Sequence, residues 1–221
     1  MCAQRTTKAT VADAKALNKV VRLAVDRPDL GVLIRRNRIN LADCEIICWG
    51  DAGFANTEGE KSQAGCCFGL VPKGESLAMS ISGDFTNLVP LMGLSGTVKR
   101  RVRSTLAAEA YAVSEGVEWS QLVRFVMLEL ATPPKPTVST LRRVERTPDK
   151  YLIVCFTDSD NLSKSCRQDS GGVKDERLRI VISMLREVLE IEPWIKIVWG
   201  PTNRMVADAL TKLDSPLACV D

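Results

Sequence analysis

Four acidic residues, Asp51, Glu109, Asp158 and Asp208, stand in contexts that would carry a side chain to one place from four different elements. Asp51 ends an apolar run in CEIICWGDAGFAN, Glu109 rides the alanine-rich STLAAEAYAVSEG, Asp158 ends the run YLIVCFTDSDN, and Asp208 opens a helix in GPTNRMVADALTK. Carboxylates gathered from separate elements are hard oxygen ligands for ions of the magnesium type. Two such ions about 4 Å apart can align an attacking water and stabilise a leaving oxygen in phosphodiester hydrolysis. Each acid also has an ordinary reading. Asp51 before Ala52 and Gly53 is a turn residue, Glu109 a solvated helix position, Asp158 a cap, and Asp208 a charge favoured near a helix N-terminus. Only the set points to a site, and Asp160 is read outside it, as the cap of the helix that follows.

Other chemistries are removed by composition. The 221 residues include no histidine, which excludes Ser-His-Asp, Cys-His and zinc-water catalysis. Eight cysteines carry no CxxC pair: Cys44 and Cys48 are four apart, Cys66 and Cys67 adjacent, and Cys2, Cys155, Cys166 and Cys219 isolated. They read as reduced thiols of an intracellular protein, several of them inside apolar strands. Thirty basic against 27 acidic residues leave a net charge of +3, which neither demands nor excludes nucleic acid. Local clusters are the better guide: Lys99, Arg100, Arg101 and Arg103 precede the Glu109 helix, and Arg177 and Arg179 mark the polar face of a later one. These six are the candidate phosphate contacts. The N-terminus lacks a signal-peptide core, and no apolar run approaches the ~20 residues of a membrane span, so no membrane partner is expected.

The elements that must position the acids follow from periodicity. Thr10 to Val25 has a helical apolar stripe, with Thr10 and Asp13 at capping-box positions and Pro28 as a stop. The short run LGVLIR and the basic Arg35, Arg36 and Arg38 come next. CEIICWGD, AGCCFGLVP and NLVPLMGL read as an antiparallel meander. Thr105 to about Leu130 is helical, with Gly116 a weak point, and its alanines allow close approach to a sheet. A proline-rich, basic linker near 132–150 leads to YLIVCFTD, a strand buried on both faces. A short helix from Asn161 to Cys166, a long one from Lys174 to Glu190, the strand WIKIVW and a last helix from about Arg204 to Leu213 complete the chain. Trp49 reads as core. The order gives an α/β fold: a mixed sheet of three antiparallel strands followed by two parallel ones, flanked by helices.

The strings GDAGFAN, STLAAEAYAVSEG, FTDSDNLSK and VADALTK resemble the ribonuclease H domain of copia-type retrotransposon polyproteins, over about Cys44 to Leu213. The resemblance implies a ribonuclease H-like five-stranded sheet over residues 44–214, with residues 1–43 a segment that follows a polymerase and 215–221 a tail. It implies a magnesium-dependent hydrolase, with Mn2+ as a substitute, that cuts the RNA strand of an RNA·DNA hybrid and leaves 3′-hydroxyl and 5′-phosphate ends. Asp51, Glu109, Asp158 and Asp208 match the four metal-binding acids, with Asp51 and Asp158 shared between two ions, and Asp160 matches none. The implied partners are the hybrid and an upstream reverse transcriptase domain. The implied location is cytoplasm or nucleus, or virus-like particles. GPTNRM lacks the histidine that related cellular enzymes carry there, which bears on product release, and Pro72 to Asp84 exceeds what a hairpin needs. The rival readings are a domesticated nucleic-acid-binding or assembly module and a 3′–5′ exonuclease. The exonuclease expects an acid two residues after the first Asp, where Gly53 stands.

Overall fold

The computed structural model describes residues 9–29, 39–57, 59–84, 87–131, 137–139, 150–167 and 175–211. The run LGVLIR, Arg35, Arg36 and Arg38, most of the stretch 132–150 and the tail 215–221 lie outside the described residues. The chain divides into two compact units, Met1–Arg35 and Arg36–Asp221. The first holds helix α1, Val11–Asp26. Its start is the capping box expected from the sequence: Asp13 N–H donates to Thr10 Oγ1 at 3.3 Å and Thr10 N–H to Asp13 Oδ2 at 2.8 Å. None of its residues is buried.

The second unit is built on one sheet. Strands β1 (Cys44–Thr57), β2 (Lys61–Pro72) and β3 (Val89–Thr97) form an antiparallel meander, and β4 (Ile153–Thr157) and β5 (Ile195–Trp199) add in parallel beside β1. The order is β3-β2-β1-β4-β5, the five-stranded mixed sheet expected from the sequence. β4 is buried at every position, as its unbroken apolar run requires. Residues 39–43 belong to this unit, because Tyr151 Oη donates to Leu41 O at 2.9 Å and Ile39 packs on the core.

Alternation along β1 divides the core. Ile46 and Cys48 face helix α3 (Thr105–Leu130) and helix α5 (Glu176–Ile191), with α4 (Asp160–Arg167) beside them. Ile47 and Trp49 face the other side, with Val154, Phe156, Met205 and Ala207. There Trp49 stacks on Phe156 at 6.0 Å, so it is core as expected. The long connection after Pro72 has a job in this layer: it forms α2 (Ser76–Ser82), whose Met79 covers that face.

Three local expectations change. Gly116 does not weaken α3; it seats the helix, since a Cβ there would stand 2.8 Å from Cys48 Sγ. Asp160 is the first residue of α4, not its cap: Ser159 Oγ accepts from Leu162 N–H at 3.4 Å, and Asp160 pairs with Lys164 at 2.5 Å. The last helix does not begin at Arg204, where a 3-10 turn spans Thr202–Arg204; α6 starts at Asp208 and is described to Thr211.

Strands β1, β3, β4 and β5 all run toward one edge of the sheet. Helix α3 leaves that edge from β3, and α5 returns from it to feed β5. No helix among the described residues is long and apolar enough to cross a membrane.

Candidate metal centre

β1 is longer than its parallel neighbour. β4 pairs with it only from Ile46 to Trp49 and ends at Thr157, while β1 continues to Thr57. Asp51 therefore lies in mid-strand, just past the last parallel pair, rather than at the strand end that the apolar run suggested. Asp158 follows the last residue of β4, and Asp208 is the first residue of α6. One oxygen from each of Asp51, Asp158 and Asp208 lies within 4.8 Å of the other two. Asp51 is 2% exposed; Asp158 and Asp208 are half-buried.

Glu109 comes from α3 on the opposite face. It is 5% exposed, but it is not a member of the trio of oxygens within 4.8 Å. The alternation that sends Ile47, Trp49 and Asp51 to the α6 side sends Gly50 and Ala52 to α3, where Ala52 packs with Ala108 and Ala112. The other predicted residues lie around the same edge. Lys99, Arg100, Arg101 and Arg103 lead into α3, Arg177 and Arg179 occupy the first turn of α5, and all six are exposed.

Each acid has a built surround. Trp199 Nε1 donates to Asp158 O at 3.1 Å, and Gly200 N–H donates to Thr157 O at 2.9 Å, which ties the end of β4 to β5. Gly65, the β2 partner of Asp51, is the floor for α6: a Cβ there would lie 2.8 Å from Leu210 Cβ and 2.9 Å from Thr211 Cγ2. Thr211, one helical turn beyond Asp208, donates its hydroxyl to Asp51 Oδ2. Sequence reasoning missed Thr211, although its spacing of three from Asp208 puts both on one helical face.

The donor set fits a divalent cation. All three ligands are hard carboxylate oxygens, which suit magnesium or manganese. One oxygen from each carboxylate converges on a single place within 4.8 Å, the arrangement a hard cation with several oxygen ligands needs. Gathering three carboxylates in so small a space favours a cation between them. Burial pushes the thiols of Cys44, Cys67 and Cys166 up to about 11, which disfavours their thiolate forms at neutral pH.

No protein-family model and no curated protein matches the chain. Among solved structures, it is similar to a ribonuclease H1 isolated from compost by a metagenomic approach, at 15% identity and a TM-score of 0.47, over 75% of this chain and 91% of that one. It is similar to the ribonuclease H1 of the halophilic archaeon Halobacterium salinarum, at 18% identity and 0.41, over 75% and 93%. It also aligns with a foamy viral protease-reverse transcriptase in complex with RNA/DNA hybrid, at 14% identity and 0.44, over 94% of this chain and 27% of that one.

Proposed function

We propose that this chain is a divalent-metal-dependent ribonuclease of the ribonuclease H type, which hydrolyses the RNA strand of an RNA·DNA hybrid and derives from a copia-type retrotransposon. The observation that carries the reading is the convergence of Asp51, Asp158 and Asp208, separated by 107 and 50 positions in sequence, to within 4.8 Å at one edge of the sheet. The motif strings around them supply the reaction class. Two bound divalent ions would supply Lewis-acid stabilisation of the attacking and departing phosphate oxygens.

The chain's own residues do the rest. Asp51 and Asp158 would serve both ions, Glu109 would hold one and Asp208 the other. With no histidine in the sequence, no imidazole base takes part. The exposed basic residues before α3 and at the start of α5 hold the phosphates at the same edge. Contacts to 2′-hydroxyls across an A-like minor groove give RNA selectivity without base readout. An upstream polymerase domain, presenting the hybrid, is the partner of this reading, and the cell interior its location.

Asp51→Asn tests the site. It removes one charge from a buried ligand, keeps the shape, and leaves an amide that is a poor cation ligand. Cleavage of a labelled hybrid should fall by about 10³-fold, as loss of several kcal/mol of charge stabilisation requires, with an unchanged circular dichroism spectrum. Cleavage at the parent rate by a folded Asp51→Asn chain sinks the assignment. Hybrid binding without cleavage by the parent chain would favour the nucleic-acid-binding module instead.

A further inference from the structure

We propose that Thr211 is a positioning residue for Asp51 and that Asn56 holds Thr211 in place, so helix α6 is keyed to the metal centre from strand β1 itself. The inference rests on the proposed nuclease reading insofar as the centre takes divalent ions.

Polar tethers from the sheet hold the described residues of helix α6. Asn56 Nδ2 donates to Thr211 O at 2.8 Å, and Ser95 Oγ donates to Leu210 O at 2.9 Å. Both tethers are braced by Gln63, whose N–H donates to Asn56 Oδ1 at 3.1 Å and whose Nε2 donates to Ser95 Oγ at 2.6 Å. Strands β1 and β3 thus grip the carbonyls of Leu210 and Thr211, braced by one residue of β2.

The backbone after Asp51 is shaped for this grip. The β1–β2 register slips between Gly53 and Thr57, and Ala55 takes φ 50. The slip turns the Asn56 side chain back across Gly53, where an added Cβ would meet Asn56 Nδ2 at 2.0 Å. The string GDAGFAN therefore encodes a ligand, Asp51, and its remote brace, Asn56, with Gly53 as the space between them.

The consequence falls on the Asp51 carboxylate. Thr211 is 3% exposed, and its hydroxyl donates to Asp51 Oδ2. A neutral donor on one oxygen fixes the rotation of the carboxylate while leaving its charge and remaining lone pairs to the ions. Outer partners of this kind are worth about 10–100-fold in metal affinity.

The test is calorimetric titration of Mg2+ and Mn2+ into the full chain and into Thr211→Val, Thr211→Ser and Asn56→Ala, with hybrid cleavage followed over a range of Mg2+. Thr211→Val should bind about 10–100-fold more weakly and need correspondingly more Mg2+ for half-maximal cleavage, recovering most of the parent rate at saturation. Thr211→Ser, which keeps the hydroxyl, should bind like the parent. A merely structural loss lowers the folded fraction without moving the half-saturating concentration. Parent-like ion affinity in a folded Thr211→Val overturns the positioning role while leaving the nuclease reading in place. Should Thr211→Val not fold, parent-like affinity in Asn56→Ala overturns it equally. A parent chain that binds neither ion overturns both readings.

Discussion

Replacing Gly65 by alanine adds one methyl group on β2 and should disable the centre without unfolding the sheet. The new Cβ would stand 2.8 Å from Leu210 Cβ, 2.9 Å from Thr211 Cγ2 and 3.3 Å from Ala207 O. Carbon atoms rest at about 3.5–4.0 Å, so α6 must retreat by about 1 Å. None of the three atoms is the far end of a flexible side chain, and one is backbone, so the turn moves as a body. Asp208 and Thr211 move with it, away from Asp51. A misplacement of about 1 Å costs on the order of 10²-fold in rate, while overpacking costs about 1–3 kcal/mol of stability. The assay pairs hybrid cleavage in Mg2+ with urea unfolding. Gly96→Ala on neighbouring β3 is the control, because nothing lies within 4 Å of its added Cβ. Parent-like cleavage by Gly65→Ala would refute the claim that contact with β2 sets the position of α6.

The other predictions probe separate parts of the structure. Saturating Mg2+ should stabilise the parent by about 2.7 kcal/mol at 100 times its dissociation constant, a rise in thermal midpoint that Asp51→Asn loses. Gly116→Ala places a Cβ 2.8 Å from Cys48 Sγ and should cost about 1–3 kcal/mol in urea unfolding; adding Cys48→Ala should return most of it, a coupling read by a double-mutant cycle. Arg124 is buried, lies 4.3 Å over the Trp194 ring and donates to Lys150 O at 3.2 Å, at the sheet edge away from the acids. Arg124→Ala should therefore destabilise by about 1–3 kcal/mol without moving the half-saturating Mg2+ concentration. Burial raises Cys44, Cys67 and Cys166 from 9.0 to about 11, so the fold holds these protons more tightly than the unfolded chain. Their contribution is intact below pH 9 and is lost between about pH 9 and 11; a denaturation midpoint flat across that window would contradict it.

The sheet was legible because its strands are extreme in type. YLIVCFTD is an unbroken apolar run of the kind a strand buried on both faces needs, CEIICWGD reads as a strand of the meander, and the meander turns are marked by glycine and aspartate. Helix α3 was legible as Thr105 to about Leu130 because alanines fill its sheet-facing side; its cap, Ser104, which accepts from Ala107 N–H, came only with the structure. What periodicity could not show is how far β1 runs beyond its pairing with β4, which leaves Asp51 in mid-strand rather than at the strand end. Alternation along β1 then puts Asp51 on the α6 side with Asp208, while Glu109 comes from α3. Gly116 was misread because a glycine that weakens a helix and a glycine that admits a thiol look alike in sequence. Asn56 and Thr211 were invisible for another reason: they meet only after a register slip in β1, and 155 positions lie between them.

The most direct measurement of the central claim is the cleavage of an RNA·DNA hybrid labelled on its RNA strand, with Mg2+ and with excess chelator, beside the same RNA as a single strand. Mg2+-dependent cuts are expected within the RNA of the hybrid, ending in 3′-hydroxyl and 5′-phosphate groups, with the DNA strand and the free RNA intact. Cleavage that persists in chelator, or a hybrid left whole by a folded chain with Mg2+ bound, would contradict it.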